Sequence, residues 1–327
     1  MFRLFCLVLI VTEVLTSEYS LLDQDYYDLD QAPEIYKQFL QKYNKESSSN
    51  RFEIFKENLR KINKYKENNS QNSYGINHFT DLTFEEISEC YLGLNGNFTS
   101  GDVIEYKPSG EKLPSELDWR TNGYVTEVKD QMNCGSCFAF SAVGNIEGQY
   151  AKAHSTTAIS LSNQQAFDCS LTPSCKAGGM PHKVFKALAE QGGSMTEADY
   201  PYEHVKGQCR TDKSKIAVTV TGGSQLGVND EDSLQDALAN YGPLSICICV
   251  NDEFKHMRGN SIFTPTVSCP TINHAVLLVG YGKDGETEFW IIKNSWGVYW
   301  ADQGYFRLIK GRQAIKIGTY AALATVA

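Results

Sequence analysis

Gln131-Met132-Asn133-Cys134-Gly135-Ser136-Cys137-Phe138-Ala139-Phe140 is the most informative stretch of this 327-residue chain. Phe138, Phe140, Val143, Ile146 and Tyr150 recur at helical spacing and trace one apolar face, so a helix is expected over residues 137–154. Ser136 is a residue type suited to capping its start. Cys137 then falls in the first turn, where unpaired backbone N–H groups and the helix dipole favour an anion and lower a thiol pKa toward the thiolate. With Gln131 six positions upstream, Cys137 reads as a nucleophile with its activating surroundings. Cys134-x-x-Cys137 alone would also suit half a zinc site or a redox pair, but no second CxxC completes four ligands.

A neighbouring imidazolium would lower the thiol pKa further, and the ion pair would be the active nucleophile. Of six histidines, His274 is the candidate, at the head of the apolar run Ala275-Val276-Leu277-Leu278. After a turn around Lys283-Asp284-Gly285 the chain returns through Phe289-Trp290-Ile291-Ile292-Lys293-Asn294. Centring the turn on Asp284 sets His274 opposite Asn294 across a hairpin, where the Asn carbonyl can fix the imidazole's tautomer without adding a charge. An oxyanion formed by attack at Cys137 would find donors in the Gln131 side-chain amide and the Cys137 backbone N–H.

Cys134-Gly135-Ser136-Cys137 matches a signature of the papain-type enzymes, with Phe138 in the last place, and His274 and Asn294 follow near the spacing expected there. Asn294-Ser295-Trp296-Gly297 matches their asparagine motif. The chain thus resembles the papain family of cysteine proteases. The resemblance implies an α+β, two-lobed papain-like fold, a helical lobe on a β-barrel-like lobe. It implies that Cys137, His274, Asn294 and Gln131 are catalytic and that Trp296 shields the His/Asn bond from water. It assigns disulfides Cys134 to Cys175 and Cys169 to Cys209. The family's third bridge looks broken, since Ile317 stands where the partner of Cys269 is expected, and Cys247, Cys249 and Cys269 are left over. Eight cysteines lie beyond residue 112, so removing a nucleophile leaves an odd number and at least one free thiol.

By the same resemblance Gly178-Gly179 bonds the backbone of an extended substrate, although the preceding stretch is one residue longer than usual. Met180, Pro181, Cys247, Ile272, Ala275 and Ala322 then line the main specificity pocket. All are apolar, which favours Leu, Val or Phe over Arg at the second residue before the scissile bond. Neither a cofactor nor a metal is expected.

The N-terminal third reads differently. Residues 1–17 resemble a secretory signal, with an apolar run too short to span a bilayer. Residues 18–112 are expected to form a leader. Ile35, Phe39, Tyr43, Phe52, Phe55, Leu59 and Ile62 recur at three- and four-residue steps, predicting two helices split at residues 47–50. Arg51-Phe52-x-Ile54-Phe55-x-x-Asn58-x-x-x-Ile62 and Gly75-x-Asn77-x-Phe79-x-Asp81 resemble the inhibitory prosegment motifs of cathepsin L-like zymogens. That implies an intramolecular inhibitor released at acidic pH, with Asp81 as a candidate sensor. Asn68 and Asn97 head glycosylation sequons, and residues 95–112 look like an exposed, cleavable linker. Residues 113–327 remain as the peptidase domain. In it, residues 137–154, 162–168 and 183–191 read as helix, and 217–220, 244–250, 275–281, 289–293 and 305–309 as strand.

The net charge of −9 gives no attraction for nucleic acid, and no later apolar stretch reaches membrane-spanning length. The expected partners are protein and peptide substrates, the prosegment itself and cystatin-type inhibitors, acting on a monomer in a lysosomal, endosomal or extracellular setting. Two rivals remain at this point. Phe138, Tyr299 in place of a customary Gly and the missing bridge would suit a catalytically silent binding protein, and the leader alone would suit a secreted inhibitor.

Overall fold

The computed structural model describes residues 20–94 and 103–327. The signal sequence and Asn97 lie outside the described residues; Asn68 is exposed at a helix end.

Two amphipathic helices, α1 (Ala32–Tyr43) and α2 (Ser49–Asn68), form the N-terminal region, with α3 (Phe84–Cys90) following. Helix α1 stops at Asn44, which adopts the left-handed conformation that Asn tolerates better than most residues. Ser48 restarts the chain as α2 by accepting the Arg51 N–H. Ile35, Phe39, Phe55, Leu59 and Ile62 are buried as the periodicity requires, and Phe39 meets Phe55 at 4.8 Å between ring centroids. Helix α3 escaped sequence analysis because its seven residues bury only Ile87; a Thr83/Glu86 capping box marks its start.

The helical lobe consists of α4 (Cys137–His154), α5 (Asn163–Cys169) and α6 (Pro181–Gln191). Against it stands a sheet in which β5 (Val220–Gly227), β11 (Ala321–Val326), β6 (Leu244–Ile248), β8 (His274–Asp284), β9 (Thr287–Lys293) and β10 (Tyr305–Ile309) are successive neighbours. Two short strands close its ends, β1 (Val103–Glu105) beside β5 and β7 (Ile262–Phe263) beside β10. Among the described residues the strands form one sheet whose ends are not paired with each other, and it makes the second, strand-rich lobe. Helix α7 (Glu231–Tyr241) interrupts the strand-rich half; Asp230 caps it and Leu234, Ala237 and Leu238 bury it.

The hairpin register differs from the expected one. Asp284 pairs with Thr287 and Tyr281 with Trp290, so Gly285-Glu286 is the turn, and an irregularity at Val279 shifts the pairing to Leu277 with Lys293. His274 and Asn294 are therefore not cross-strand partners; the turn lies further along the chain than Asp284, and the bulge returns one residue.

Disulfides join Cys134 to Cys175 and Cys169 to Cys209. A third joins Cys249 to Cys269, so the bridge that looked broken is closed from a different strand end. Cys90, Cys137 and Cys247 are free thiols among the described residues.

Candidate active site

Cys137 is the first residue of α4, as the apolar spacing required. Ser136 precedes it but makes no capping bond; its hydroxyl instead lies 2.8 Å from the Tyr202 hydroxyl, which itself donates to the Gln131 carbonyl. The expected cap is thus a strut fixing the loop before Cys137. From the sheet, His274 opens β8 and Asn294 follows the last residue of β9. The lobes bring these residues together: His274 Nε2 lies 2.8 Å from Asn294 Oδ1, and Cys137 Sγ accepts the Ala275 N–H at 3.5 Å. An Asn oxygen can only accept, so Nε2 carries the proton and Nδ1 is left as the ring's free base. Nδ1 is buried without a hydrogen-bond partner.

Trp296 is fully buried, with its ring 4.9 Å from that of His274. Gln131, also fully buried, accepts from Ser295 Oγ at 2.6 Å, which fixes which end of the amide carries its donors. Sequence analysis missed Ser295, whose only signal was its place inside the Asn-Ser-Trp-Gly motif.

Burial dominates the electrostatics. It pushes the Cys137 thiol up to about 11, against backbone N–H groups of Ala275, Gly93, Phe138 and Cys137 itself that pull the other way. It also pushes His274 down to about 4, despite the bond to Asn294. The ion pair expected from sequence is therefore not the state this arrangement favours. With water excluded, both groups stay neutral.

The cause of that burial is the N-terminal region, which runs over the site. Gln131 Nε2 donates to the Tyr91 carbonyl at 2.9 Å and to the Cys134 carbonyl at 2.9 Å. The Gly179 N–H donates to the Gly93 carbonyl at 2.9 Å, and the Leu94 N–H to the Asn273 carbonyl at 3.3 Å. Gly93 passes so close that a Cβ there would stand 1.9 Å from the Gly135 carbonyl oxygen. No motif flagged Tyr91, Gly93 or Leu94; a glycine between two leucines was the only hint.

Met180, Cys247, Ile272, Ala275 and Ala322 share one buried cluster with Cys137 and Phe138, and Leu94 packs against it. Pro181 is buried at the start of α6, directly after Met180, while Gly178 turns the chain with φ of 63°. Phe138 lies under the glycine pair, since a Cβ on Gly179 would meet its ring at 2.7 Å. Tyr299 meets Tyr43 of α1 edge-on at 5.8 Å. Among the described residues, no group of three or more His, Cys, Asp or Glu is arranged to hold a metal ion.

A cysteine at a helix start, a histidine held by an asparagine across a lobe junction and an extended segment over both define a thiol protease covered by its own leader. Residues 113–325 match the papain family cysteine protease domain, and residues 36–87 match the cathepsin propeptide inhibitor domain (I29). The chain belongs to the papain family of cysteine proteases. It is 39% identical to the viral cathepsin of Choristoneura fumiferana nuclear polyhedrosis virus over 86% of this chain and 88% of that one. It is 37% identical to a cathepsin L-like proteinase of Fasciola hepatica, over 85% and 89% of the two chains. The structure of digestive procathepsin L 3 from Tenebrio molitor larval midgut superposes with a TM-score of 0.80 at 34% identity, covering 90% of this chain and 99% of the other.

Proposed function

We propose that this protein is a cysteine endopeptidase made as an inactive precursor, in which residues 1–17 are a signal, 18–112 an inhibitory prosegment and 113–327 the peptidase. The observation that carries the proposal is the backbone of residues 91–94, which hydrogen-bonds to Gln131 and Gly179 above Cys137 as a peptide substrate would. Once the prosegment leaves, water returns to the site and the penalty on charge falls. The thiol proton then passes to His274 Nδ1, giving the nucleophilic pair. The sulfur attacks a peptide carbonyl, and the oxyanion is met by Gln131 Nε2 and the Cys137 N–H. His274 gives its proton to the departing amine, leaving a thioester. Water, deprotonated by His274, then hydrolyses the thioester and restores the thiol. Asn294 holds the ring in the required tautomer, and Trp296 keeps water from that bond.

Leu94 against the apolar cluster supports a preference for an apolar side chain at the second position before the scissile bond. An acid trigger is supported by two histidines at the contact between prosegment and peptidase. His256 is fully buried with both ring nitrogens unpartnered. Burial first, then Lys255, holds its pKa well below the ordinary value, Asp252 opposing. His78 lies against Tyr43 and Phe79 with Nδ1 buried and unpartnered. Burial and then Lys45 push it down to about 3. A histidine depressed in the docked state favours docking above its free pKa and opposes it progressively as pH falls below that value. Acid therefore loosens the prosegment. Asp81 pairs with Lys45 of the same segment, so it joins two parts of the prosegment and not the prosegment to the peptidase.

Entry to the secretory pathway, a lysosomal, endosomal or extracellular destination, a monomeric state and sensitivity to cystatin-type inhibitors belong to the same proposal. Among the described residues no helix is long and apolar enough to cross a membrane. The proposal is tested by incubating the full chain at acidic pH, sequencing the new N-terminus and profiling the product on a peptide library. Cleavage near residue 112 with Leu, Val or Phe selected at the second position is expected. An acid-processed chain that cleaves nothing, or one that selects Arg there, would overturn it.

A further inference from the structure

Beyond the cleft, residues 103–109 touch the peptidase at a place that shares no side chain with the Cys137–His274 cluster. Val103, Ile104 and Glu105 lie parallel to Gln225, Leu226 and Gly227, making β1 an added outer strand on β5. Val103 and Ile104 stay exposed, so backbone pairing and not apolar burial carries the contact. Gly227 makes room for it: a Cβ there would stand 3.2 Å from the Ile104 carbonyl oxygen and 3.4 Å from Val103 Cγ1. Its φ lies outside the left-handed region, so the local backbone alone does not demand glycine.

Three residues further on, the chain is pinned by Asp236 of α7. That carboxylate accepts the Tyr106 hydroxyl, the Ser109 N–H at 2.9 Å and the Ser109 hydroxyl at 2.7 Å. Asn240 on the same helix donates a further bond at 3.0 Å. Asp236 is only 5% exposed, yet most of its hydrogen bonds come from outside its own domain. Burial alone would raise its pKa, but the bonds from Tyr106, Ser109 and Asn240 outweigh it and leave the carboxyl below its ordinary range. An unpaired strand edge beside a carboxylate that lacks its donors is complementary to one chemistry: an extended backbone carrying hydroxyl groups.

We propose that the β5 edge and Asp236 form a second peptide-binding site on the protease, which takes an extended segment with hydroxyl side chains three residues apart. Residues 103–109 are its built-in ligand, and in the mature protease its occupant is the same segment of a released prosegment. Only the release of that segment rests on the proposed maturation; the docking itself does not depend on catalysis.

Hydrogen exchange on the full, unprocessed chain tests the docking in place. The amides of β1 and of Ser109 should be protected in the wild type and lose protection in Gly227→Val and Asp236→Asn, with α4 and β8 unchanged. Then a fluorescent peptide of residues 103–112 is titrated onto mature protease whose Cys137 has been blocked by a thiol-directed epoxide. Saturable binding is expected, weakened about tenfold or more by Gly227→Val. Peptides carrying Tyr106→Phe and Ser109→Ala should weaken to the same degree, which controls for misfolding of the protein variants. No binding to the blocked protease, or binding indifferent to every substitution, would overturn the proposal. Failure of acid processing shows separately, as an unprocessed chain on a gel.

Discussion

The prosegment holds the peptidase in two places built in opposite ways. Over Cys137 it is almost pure backbone: carbonyls of Tyr91 and Gly93 and the Leu94 N–H make the bonds, and the closest approach belongs to a glycine. At the docking face, α2 and residues 74–79 present side chains. Asn58 lies 3.3 Å from the buried Lys255 ammonium, Tyr65 donates to Asp252, Asn77 donates to the Lys255 carbonyl and Phe79 meets Trp296 edge-on at 5.2 Å. Backbone contacts are indifferent to side-chain identity, so the cleft contact imitates a substrate. The docking face supplies specificity, and because it encloses imidazoles it also supplies the response to pH.

The largest effect that would sharpen this contrast lies in the cleft. Gln131→Ala removes the side-chain donor proposed for the oxyanion and should lower kcat of the mature enzyme by about 10²–10³, measured on a peptide substrate. Of its contacts to the prosegment the precursor should lose the Tyr91 bond, with the docking face unaltered. Next in size is Gly93→Ala, whose methyl must displace the Gly135 backbone. Overpacking of this kind costs about 1–3 kcal/mol, so inhibition of the mature enzyme by added prosegment should weaken about 5- to 150-fold at neutral pH.

The docking face should respond to acid where the cleft glycine does not. With a free pKa near 6.5 and a docked value far below it, His256 should oppose docking by about 2 kcal/mol at about pH 5. His256→Leu should therefore retain tight inhibition to lower pH than the wild type, read as the pH midpoint of processing. Unchanged pH dependence in both His256→Leu and His78→Leu would break the contrast. The smallest effect is expected from Asp81→Asn. Its partner Lys45 lies in the same segment, so the change should cost the prosegment about 1 kcal/mol of its own stability, read by thermal unfolding of the free prosegment, and leave its contacts to the peptidase intact.

The same two regions differ in how far sequence could describe them. The start of α4 at Cys137 and its approximate end were legible, because a long apolar face at helical spacing has few alternatives. The residues that meet at the site were legible too, although the hairpin register proposed for His274 and Asn294 was wrong: a bulge at Val279 cannot be counted from an apolar run. Tyr91, Gly93 and Leu94 were not legible, because contacts made through backbone atoms leave almost no trace in residue type. Cys249 pairing with Cys269 was equally hidden, since three leftover cysteines offer several pairings and only the fold selects one. The neutral state of Cys137 and His274 under the leader was not legible either. The helix start and the asparagine are local features, whereas the desolvation that overrides them comes from a segment more than forty residues upstream.

The central claim is that one sulfur, covered and neutral in the precursor, becomes the reactive anion when the prosegment leaves. The rate of alkylation by a thiol-directed epoxide, mapped by peptide sequencing in the full chain at neutral pH and again after acid processing, tests it directly. Cys137 should remain unlabelled in the precursor and take up one equivalent in the processed chain. Labelling confined to Cys247, or equal labelling of Cys137 in both forms, would contradict it.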